Sequence, residues 1–330
     1  MADNFKLSNN EVSVLRQLES DGRIPFSKIG KKTRKSQQRV SYTVNSLINK
    51  EVIKNFYTLI DYSKLGVLSF RVYFKINYLS GEKFKELIKH LMYLTNTGWI
   101  ATCEGDFDLI CTFFAFNPSQ FNKNLRKVMA KFPDQIRDHT VLTTIVIRNF
   151  EREYLVNTPN IPKEAIIGGD RKPEQVDDTD MQILSLISDD ARVSSVELGS
   201  KLSLTPKTVI TRLKKLEEKR VIRGYRPLLD LNKTGHTLIL LLIKYHNITL
   251  GVENKLINYL KLHPNVLGIV KTLGEWDLEI EIEVKNMRDF RKIGIEIRQK
   301  FTTMIQQTRS IPLDETFKKS FFPKFLIENI

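Results

Sequence analysis

The segment Gly105-Asp106-Phe107-Asp108-Leu109 returns as Gly274-Glu275-Trp276-Asp277-Leu278, 169 residues further on. The same offset carries Leu15 onto Leu184, Val52-Ile53 onto Val221-Ile222, Asp61 onto Asp230 and Gly66 onto Gly235. No gap is needed from about residue 7 to residue 136. A period this long exceeds the roughly 20–50 residues of a solenoid or propeller unit. It predicts two tandem copies of a whole domain pair, so the fold must be one that two similar halves can both adopt. Each copy changes its hydrophobic period near Gly66 and Gly235, which divides the chain into four small domains. The expected boundaries are 1–62 and 63–157 for copy one, a linker over 158–175, then 176–231 and 232–330 for copy two.

The 330 residues carry 52 lysines and arginines against 38 aspartates and glutamates, a net charge of +14. Such a surplus suits an anionic partner such as nucleic acid, and its distribution says more than its total. From Lys28 to Lys50 there are seven basic residues (Lys28, Lys31, Lys32, Arg34, Lys35, Arg39, Lys50) and no acid. From Lys201 to Arg226 there are nine, against Glu217 and Glu218. Both clusters fall at the same place in the repeat. The longest apolar run, Leu238 to Ile243, is far short of the ~18 residues of a membrane helix. The start, Met1-Ala2-Asp3-Asn4-Phe5, lacks the basic-then-apolar pattern of a secretion signal. A cytoplasmic, nucleoid-associated protein with no membrane contact is expected. Cys103 and Cys111 are too few for a disulfide framework or a zinc site and are expected as buried thiols. His90, His139, His236, His246 and His263 neither recur at the offset nor cluster at metal-ligand spacing, so no metal and no cofactor are expected.

The front of each copy reads as three short helices and a ribbon. In copy two, Asp177 to Asp180 offer N-caps before a helix with Met181, Ile183, Leu184 and Ile187 inward. Ser194-Ser195-Val196-Glu197 has capping-box spacing. Thr205-Pro206 opens a third helix, with threonine as cap and proline at the first turn. Val209, Leu213 and Leu216 face inward there, which leaves Lys207, Thr208, Thr211, Arg212 and Lys215 on the outer or flanking faces. Copy one runs parallel, from the capping box Ser8 to Glu11 to a third helix capped by Ser36. Val40, Val44 and Leu47 are its inner face, and Gln37, Gln38, Arg39, Ser41, Tyr42 and Asn45 lie outside. Two helices joined by a tight turn, the second basic and polar outside, make a helix-turn-helix. Arg and Lys neutralise phosphates, while Gln, Asn and Arg read base edges. The segments 52–61 and 221–230 are expected as small wings that carry Lys54, Arg223 and Arg226 to the nucleic-acid backbone.

After each glycine the order of strands and helices is β-α-β-β-α-β, the ferredoxin-like pattern. Such a sheet is covered by helices on one face and leaves the other open, so it is expected to pack on a partner. The fold class is therefore α+β: two tandem copies of a winged helix-turn-helix domain, each followed by a βαββαβ domain.

The helix-turn-helix, Val52-Ile53-Lys54-Asn55-Phe56 and Val221-Ile222-Arg223-Gly224-Tyr225, the Asp61…Gly66 and Asp230…Gly235 pairs and the two hairpins together resemble the Lrp/AsnC family of feast/famine regulators. The resemblance covers nearly all of both copies. It implies double-stranded DNA as partner, a homo-oligomer, and an amino-acid effector or a subunit contact at the hairpins. The residues so implicated are Gly105, Asp106, Phe107 and Asp108, with Gly274, Glu275, Trp276 and Asp277. Read from chemistry alone, the same hairpin needs only a glycine turn, a packing aromatic and aspartates that cap loop amides. Copy two departs from the family where Pro312 stands in its last strand, so ligand binding is expected to be weaker there. Copy one has Thr43 where copy two has Arg212, so the two third helices are expected to read different half-sites.

The leading expectation is a DNA-binding transcriptional regulator and not an enzyme. An architectural DNA-binding protein of little sequence specificity is the first rival. A remoter one is a sirohaem decarboxylase, because some of these resemble the family and occur as tandem fusions. Residues 158–162 and 168–173 read as linker, Ala165 to Ile167 as a segment able to dock, and Phe321 to Leu326 as an apolar tail that packs on a neighbouring surface.

Overall fold

The computed structural model describes residues 7–78, 80–155, 163–246 and 248–328. Copy one opens with α1 (Asn9–Ser20), α2 (Phe26–Thr33) and α3 (Gln37–Asn49). The capping box forms as the sequence implies: Ser8 caps the Glu11 amide while the Glu11 carboxylate accepts from the Ser8 amide at 2.9 Å. Ser36 Oγ accepts from the Arg39 amide at 3.2 Å and starts α3. The turn between α2 and α3 is tight enough to demand a glycine, because a Cβ on Gly30 would lie 2.6 Å from the Lys35 carbonyl.

Then follow β1 (Ile53–Ile60), β2 (Leu68–Ile76), α4 (Gly81–Tyr93), β3 (Thr97–Cys103), β4 (Leu109–Ala115), α5 (Pro118–Lys131) and β5 (Ile136–Asn149). A short strand β6 (Ala165–Gly168) precedes copy two. The second half repeats the order: α6 (Asp178–Asp189), α7 (Ser195–Leu202), α8 (Pro206–Glu218), β7 (Ile222–Leu229), a single turn α9 (Leu231–Thr234), β8 (Thr237–Tyr245), α10 (Leu250–Lys261), β9 (Val266–Leu273), β10 (Leu278–Val284), α11 (Met287–Lys300) and β11 (Ile305–Lys319).

The ribbons are not two separate wings. β1 pairs antiparallel with β7, and Tyr57 sits opposite Arg226, the residue 169 positions on. Phe56 and Thr58 face Pro227 and Tyr225, so a two-fold axis runs through the Tyr57–Arg226 pair. Equivalent backbone bonds cross it: Gly22 donates to the Tyr225 carbonyl at 3.0 Å and Ala191 to that of Phe56 at 2.8 Å. One apolar core therefore serves both helical units, joining Leu15, Val44 and Phe56 to Leu184, Leu213 and Tyr225. Apolar surface too small to sustain one three-helix unit is thereby pooled across two.

The sheets pool in the same way. Each copy forms a four-stranded antiparallel sheet, and the free edges join, β3 to β11 and β9 to β5. Eight strands close into a ring in the order β2-β4-β3-β11-β8-β10-β9-β5, with β5 returning to β2. The seams obey the same symmetry: Thr144 opposes Thr272, and Leu313 opposes Cys103. The helices α4, α5, α10 and α11 lie outside over two cores, one around Val72, Phe113 and Leu125, the other around Ile243, Ile280 and Ile297. The open faces expected to need a partner meet each other inside the ring, where Tyr73, Trp99, Leu240 and Trp276 pack together.

Pro312 proves compatible with a central strand. It is the last residue of β11 to face β8, and the next, Leu313, faces β3, so the missing amide falls where the strand changes neighbour. β6 lies within the expected linker yet pairs with Val146 to Asn149 of β5, so this part of 158–175 belongs to the sheet. Residues 158–162, the first part of that linker, lie outside the described residues. The apolar tail packs as expected: Phe322 is fully buried and Phe321 stacks on Tyr57 at 6.1 Å. Cys103 and Cys111 are free and buried, and burial pushes the Cys103 thiol up to about 12.

Candidate nucleic-acid interface and the barrel ends

On α3, Val40, Val44 and Leu47 are buried, while Gln37, Gln38, Arg39, Tyr42 and Asn45 are exposed. Tyr42 leaves 77% of its surface in water. Lys28, Lys31 and Lys32 of α2 and Arg34 of the turn before α3 are exposed as well. On α8, Lys207, Thr211, Lys214 and Lys215 are exposed and Thr208 is half-buried. Thr211 donates to the Lys207 carbonyl at 3.0 Å, and Thr208 shares a hydroxyl contact of 2.8 Å with Thr205. Exposed Ile210 stands between the lysines, an apolar group that the inward-facing periodicity does not single out.

Arg212 lies at the margin of this face, half-buried. Its guanidinium lies 2.7 Å from Asp177 and 2.8 Å from Asp180, so it ties α8 to the first turn of α6. Its equivalent Thr43 is buried and accepts from Asn10 at 3.2 Å, an uncharged version of the same tie. We expect Arg212→Ala to lower the melting temperature of the chain without changing the salt slope of DNA binding; a slope lowered by about one would mean that Arg212 contacts a phosphate.

The ribbon arginines are likewise turned inward, which corrects their expected backbone role. Arg226 is 5% exposed and donates to the Ser20 carbonyl at 3.3 Å. Arg223 sits 3.5 Å from the buried Asp61 carboxylate. Lys54, by contrast, is exposed, 3.7 Å from Asp230 and 3.9 Å from Glu315. Antiparallel pairing of β1 with β7 is the cause, since it places both strands under the helices instead of beside them.

At the far end of the barrel the two hairpins meet. Phe107 and Trp276 are buried plugs. Asp108 accepts from the Ile76 amide at 2.7 Å and Asp277 from the Tyr245 amide at 2.8 Å. Gly274 has φ 149° and no room for a side chain, because a Cβ would lie 2.8 Å from Leu142; Gly105, at φ 101°, has open space. Arg309 joins the hairpins, 3.1 Å from Asp106 and 3.9 Å from Glu275, with its guanidinium over both aromatic rings.

The near end, facing the helical body, holds groups that no motif in the sequence singles out. β10 alternates Leu278-Glu279-Ile280-Glu281-Ile282-Glu283-Val284, with the isoleucines toward the helices and the glutamates inside the ring. Glu279 is paired with Arg71 and accepts from the Tyr73 hydroxyl at 2.7 Å. Arg152 binds Glu283 through two contacts of 2.9 Å and Glu19 of α1 through a third, linking barrel to helical body. Tyr154 donates to Glu283 at 2.6 Å and stacks on His236. Burial holds the His236 pKa below its ordinary value, with Glu283 opposing. Among the described residues no group of His, Cys, Asp and Glu is placed to hold a metal ion, and no helix is long and apolar enough to cross a membrane.

A family model described as a winged helix-turn-helix DNA-binding domain matches residues 176–223. The HTH-type transcriptional regulator AldR of Mycolicibacterium smegmatis is 27% identical over 142 residues, covering 43% of this chain and 80% of that protein. The leucine-responsive regulatory protein of Rhizobium meliloti is 40% identical over 65 residues, 20% of this chain and 42% of that protein. The crystal structure of the siroheme decarboxylase NirDL matches with a TM-score of 0.62 at 14% identity, over 96% of each chain. This protein thus carries a winged helix-turn-helix DNA-binding domain. Its homologues are transcriptional regulators of the Lrp/AsnC family.

Proposed function

We propose that this chain is a DNA-binding transcriptional regulator, built as a fused tandem pair, that contacts double-stranded DNA through α3 and α8. The observation that carries this reading is the exposure of two third helices, with their basic surroundings, on one core with a two-fold strand register. The regulator homologues support it. Gln37, Gln38, Arg39 and Tyr42 offer paired hydrogen bonds and a ring to base edges, whereas Lys207, Thr208, Thr211 and Lys215 offer charge and hydroxyls. Two such different faces suit an asymmetric site. We assign the hairpins to holding the copies together and not to an amino-acid pocket, because Asp108 and Asp277 are engaged by strand amides and Asp106 and Glu275 by Arg309. A cytoplasmic location on the nucleoid, and assembly of several tandem chains, complete the proposal.

The whole-chain likeness to NirDL favours a second reading, an enzyme acting on a tetrapyrrole. Fluorescence anisotropy separates the readings, with the DNA upstream of the protein's own coding region and a scrambled duplex at ~0.15 M salt. Preference for the native duplex by ~1000-fold or more is expected of a specific regulator. Equal affinity would mean an architectural protein. Failure to bind either, together with a visible-band shift on adding an iron-uroporphyrin, would favour the tetrapyrrole reading over the regulator.

A further inference from the structure

The outer side of the copy-one barrel carries a groove whose counterpart in copy two satisfies its own polar groups. The groove lies between the end of α4 and α5, holds about 620 Å³ and is walled by Phe325 and Leu326 of the turn Lys324–Ile327. That volume falls within the roughly 300–1,000 Å³ usual for small-ligand sites. The tail is fixed there at two points. Phe325 donates to the Thr95 carbonyl at 3.2 Å, and Lys324 pairs with Asp189 of α6 at 2.6 Å.

Lys127 and Lys131 are exposed on the wall, and no carboxylate of the described residues lies within ion-pair distance of either. Lys131 donates to His90 Nδ1 at 3.1 Å. Burial, and then Lys131, hold the His90 pKa below its ordinary value, with Glu86 opposing, so the neutral ring accepts and fixes the lysine. Asn96 is only 9% exposed, yet its carboxamide has no hydrogen-bond partner among the described residues. Phe116 leaves 49% of its surface in water, with Phe325 set edge-on at 5.2 Å. Glu328 is the one acid among the described residues of the wall.

The offset of 169 carries His90, Asn96, Phe116, Lys127 and Lys131 onto Tyr259, Asn265, Lys285, Glu296 and Lys300. There the groups serve one another. Tyr259 donates to Glu296 at 3.4 Å, Lys300 lies over the Tyr259 ring at 4.2 Å, and Asn265 donates to the Glu283 carbonyl at 2.7 Å. Copy one has a lysine in place of that glutamate and an aromatic ring in place of a lysine, and its asparagine has no partner. Two cations without a counter-ion, an orphaned carboxamide, a bare aromatic face and one acid call for a particular occupant. It carries an anion, a flat ring with a polar edge, and hydroxyls to donate.

We propose that this groove binds a nucleotide, one per chain. Lys127 and Lys131 take the phosphate, Phe116 stacks on the base, Asn96 pairs with the base edge, and Glu328 accepts from the ribose hydroxyls. The nucleotide is either free or part of a single strand; α5 also exposes Lys123 and Arg126 and contains no acid, which suits further phosphates. The site does not rest on the regulator reading.

The test is titration calorimetry of the full chain with the four ribonucleoside 5′-monophosphates, the four nucleosides and inorganic phosphate, each to ~10 mM, past the millimolar end of specific affinities. Labelled ten-nucleotide single-stranded RNAs are followed by anisotropy in parallel. At least one monophosphate or strand is expected to bind at one per chain, and the nucleosides and inorganic phosphate at least 10-fold more weakly. Response to the strands alone would assign the site to a strand, and response to a monophosphate to the free nucleotide. Lys127→Glu and Phe116→Ala are each expected to weaken binding at least 10-fold, while Glu296→Lys in copy two and Arg39→Ala on α3 leave it unchanged. Copy two carries glutamate at the position of Lys127, and Phe116 is exposed, so both variants are expected to keep the parent melting temperature. Absence of binding, inorganic phosphate binding as tightly as any nucleotide, or affinity retained in Lys127→Glu would overturn the proposal.

Discussion

Replacing Arg71 by methionine is expected to destabilise the chain by about 3–5 kcal/mol, the usual cost of stranding one charge of a buried pair. Glu279 is completely buried, and Arg71 and the Tyr73 hydroxyl are its partners. Burial already lifts its pKa above the ordinary carboxylate value, a shift that Arg71 restrains. Without Arg71 the folded-state pKa rises further. A carboxyl whose folded pKa is raised takes up a proton on folding, so the penalty is full above that pKa and fades as the pH falls through it. The difference between variant and parent is therefore expected to shrink as denaturant midpoints are measured from about pH 8 down to about pH 5. Adding Glu279→Met should recover most of the loss, because an apolar pair of similar volume replaces a buried ion pair at little cost. A loss under about 1 kcal/mol in the single variant, or no recovery in the double, would show that the pair is not desolvated as described.

Removing Arg39, Lys207 and Lys215 together by alanine substitution is expected to leave the melting temperature unchanged and to weaken DNA binding at least 10-fold at ~0.15 M salt. All three are exposed. Every phosphate that is no longer neutralised takes about one unit off the slope of log affinity against log salt, so the slope should fall by about two to three. A slope identical to the parent's would remove α3 and α8 from the interface. A slope change with Arg39→Ala alone, but none with the two lysines, would mean that only copy one engages DNA.

Much of this architecture is legible in the sequence because it is local. Capping residues at Ser8, Ser36, Ser194 and Thr205 mark helix starts, and each is used as a cap. The Gly105 and Gly274 turns fix both hairpins. What stays hidden is long-range. Nothing near Tyr57 signals that its strand pairs with residues 169 positions away, since an exposed edge looks alike whichever strand it will meet. An Ile-Glu alternation such as 278–284 normally means a solvated face, and only closure of the ring turns those glutamates inward. The partners of Arg212 stay hidden for a similar reason: three and four residues from the inner-face Val209 and Leu216, it sits on the flank of α8, where Asp177 and Asp180 of another helix meet it.

The Arg71–Glu279 contact also governs which chains can close a barrel. The residue equivalent to Glu279 in the first half is Ile110, and the residue equivalent to Arg71 in the second is Leu240. Two first halves brought together would set each guanidinium against isoleucine, and two second halves would bury two carboxylates against leucine. Both pairings carry orphaned charge, so each half rejects its own kind and accepts the other. Fusion keeps the right mate at hand, and the ion pair makes sure that a mate borrowed from a neighbouring molecule is of the complementary sort.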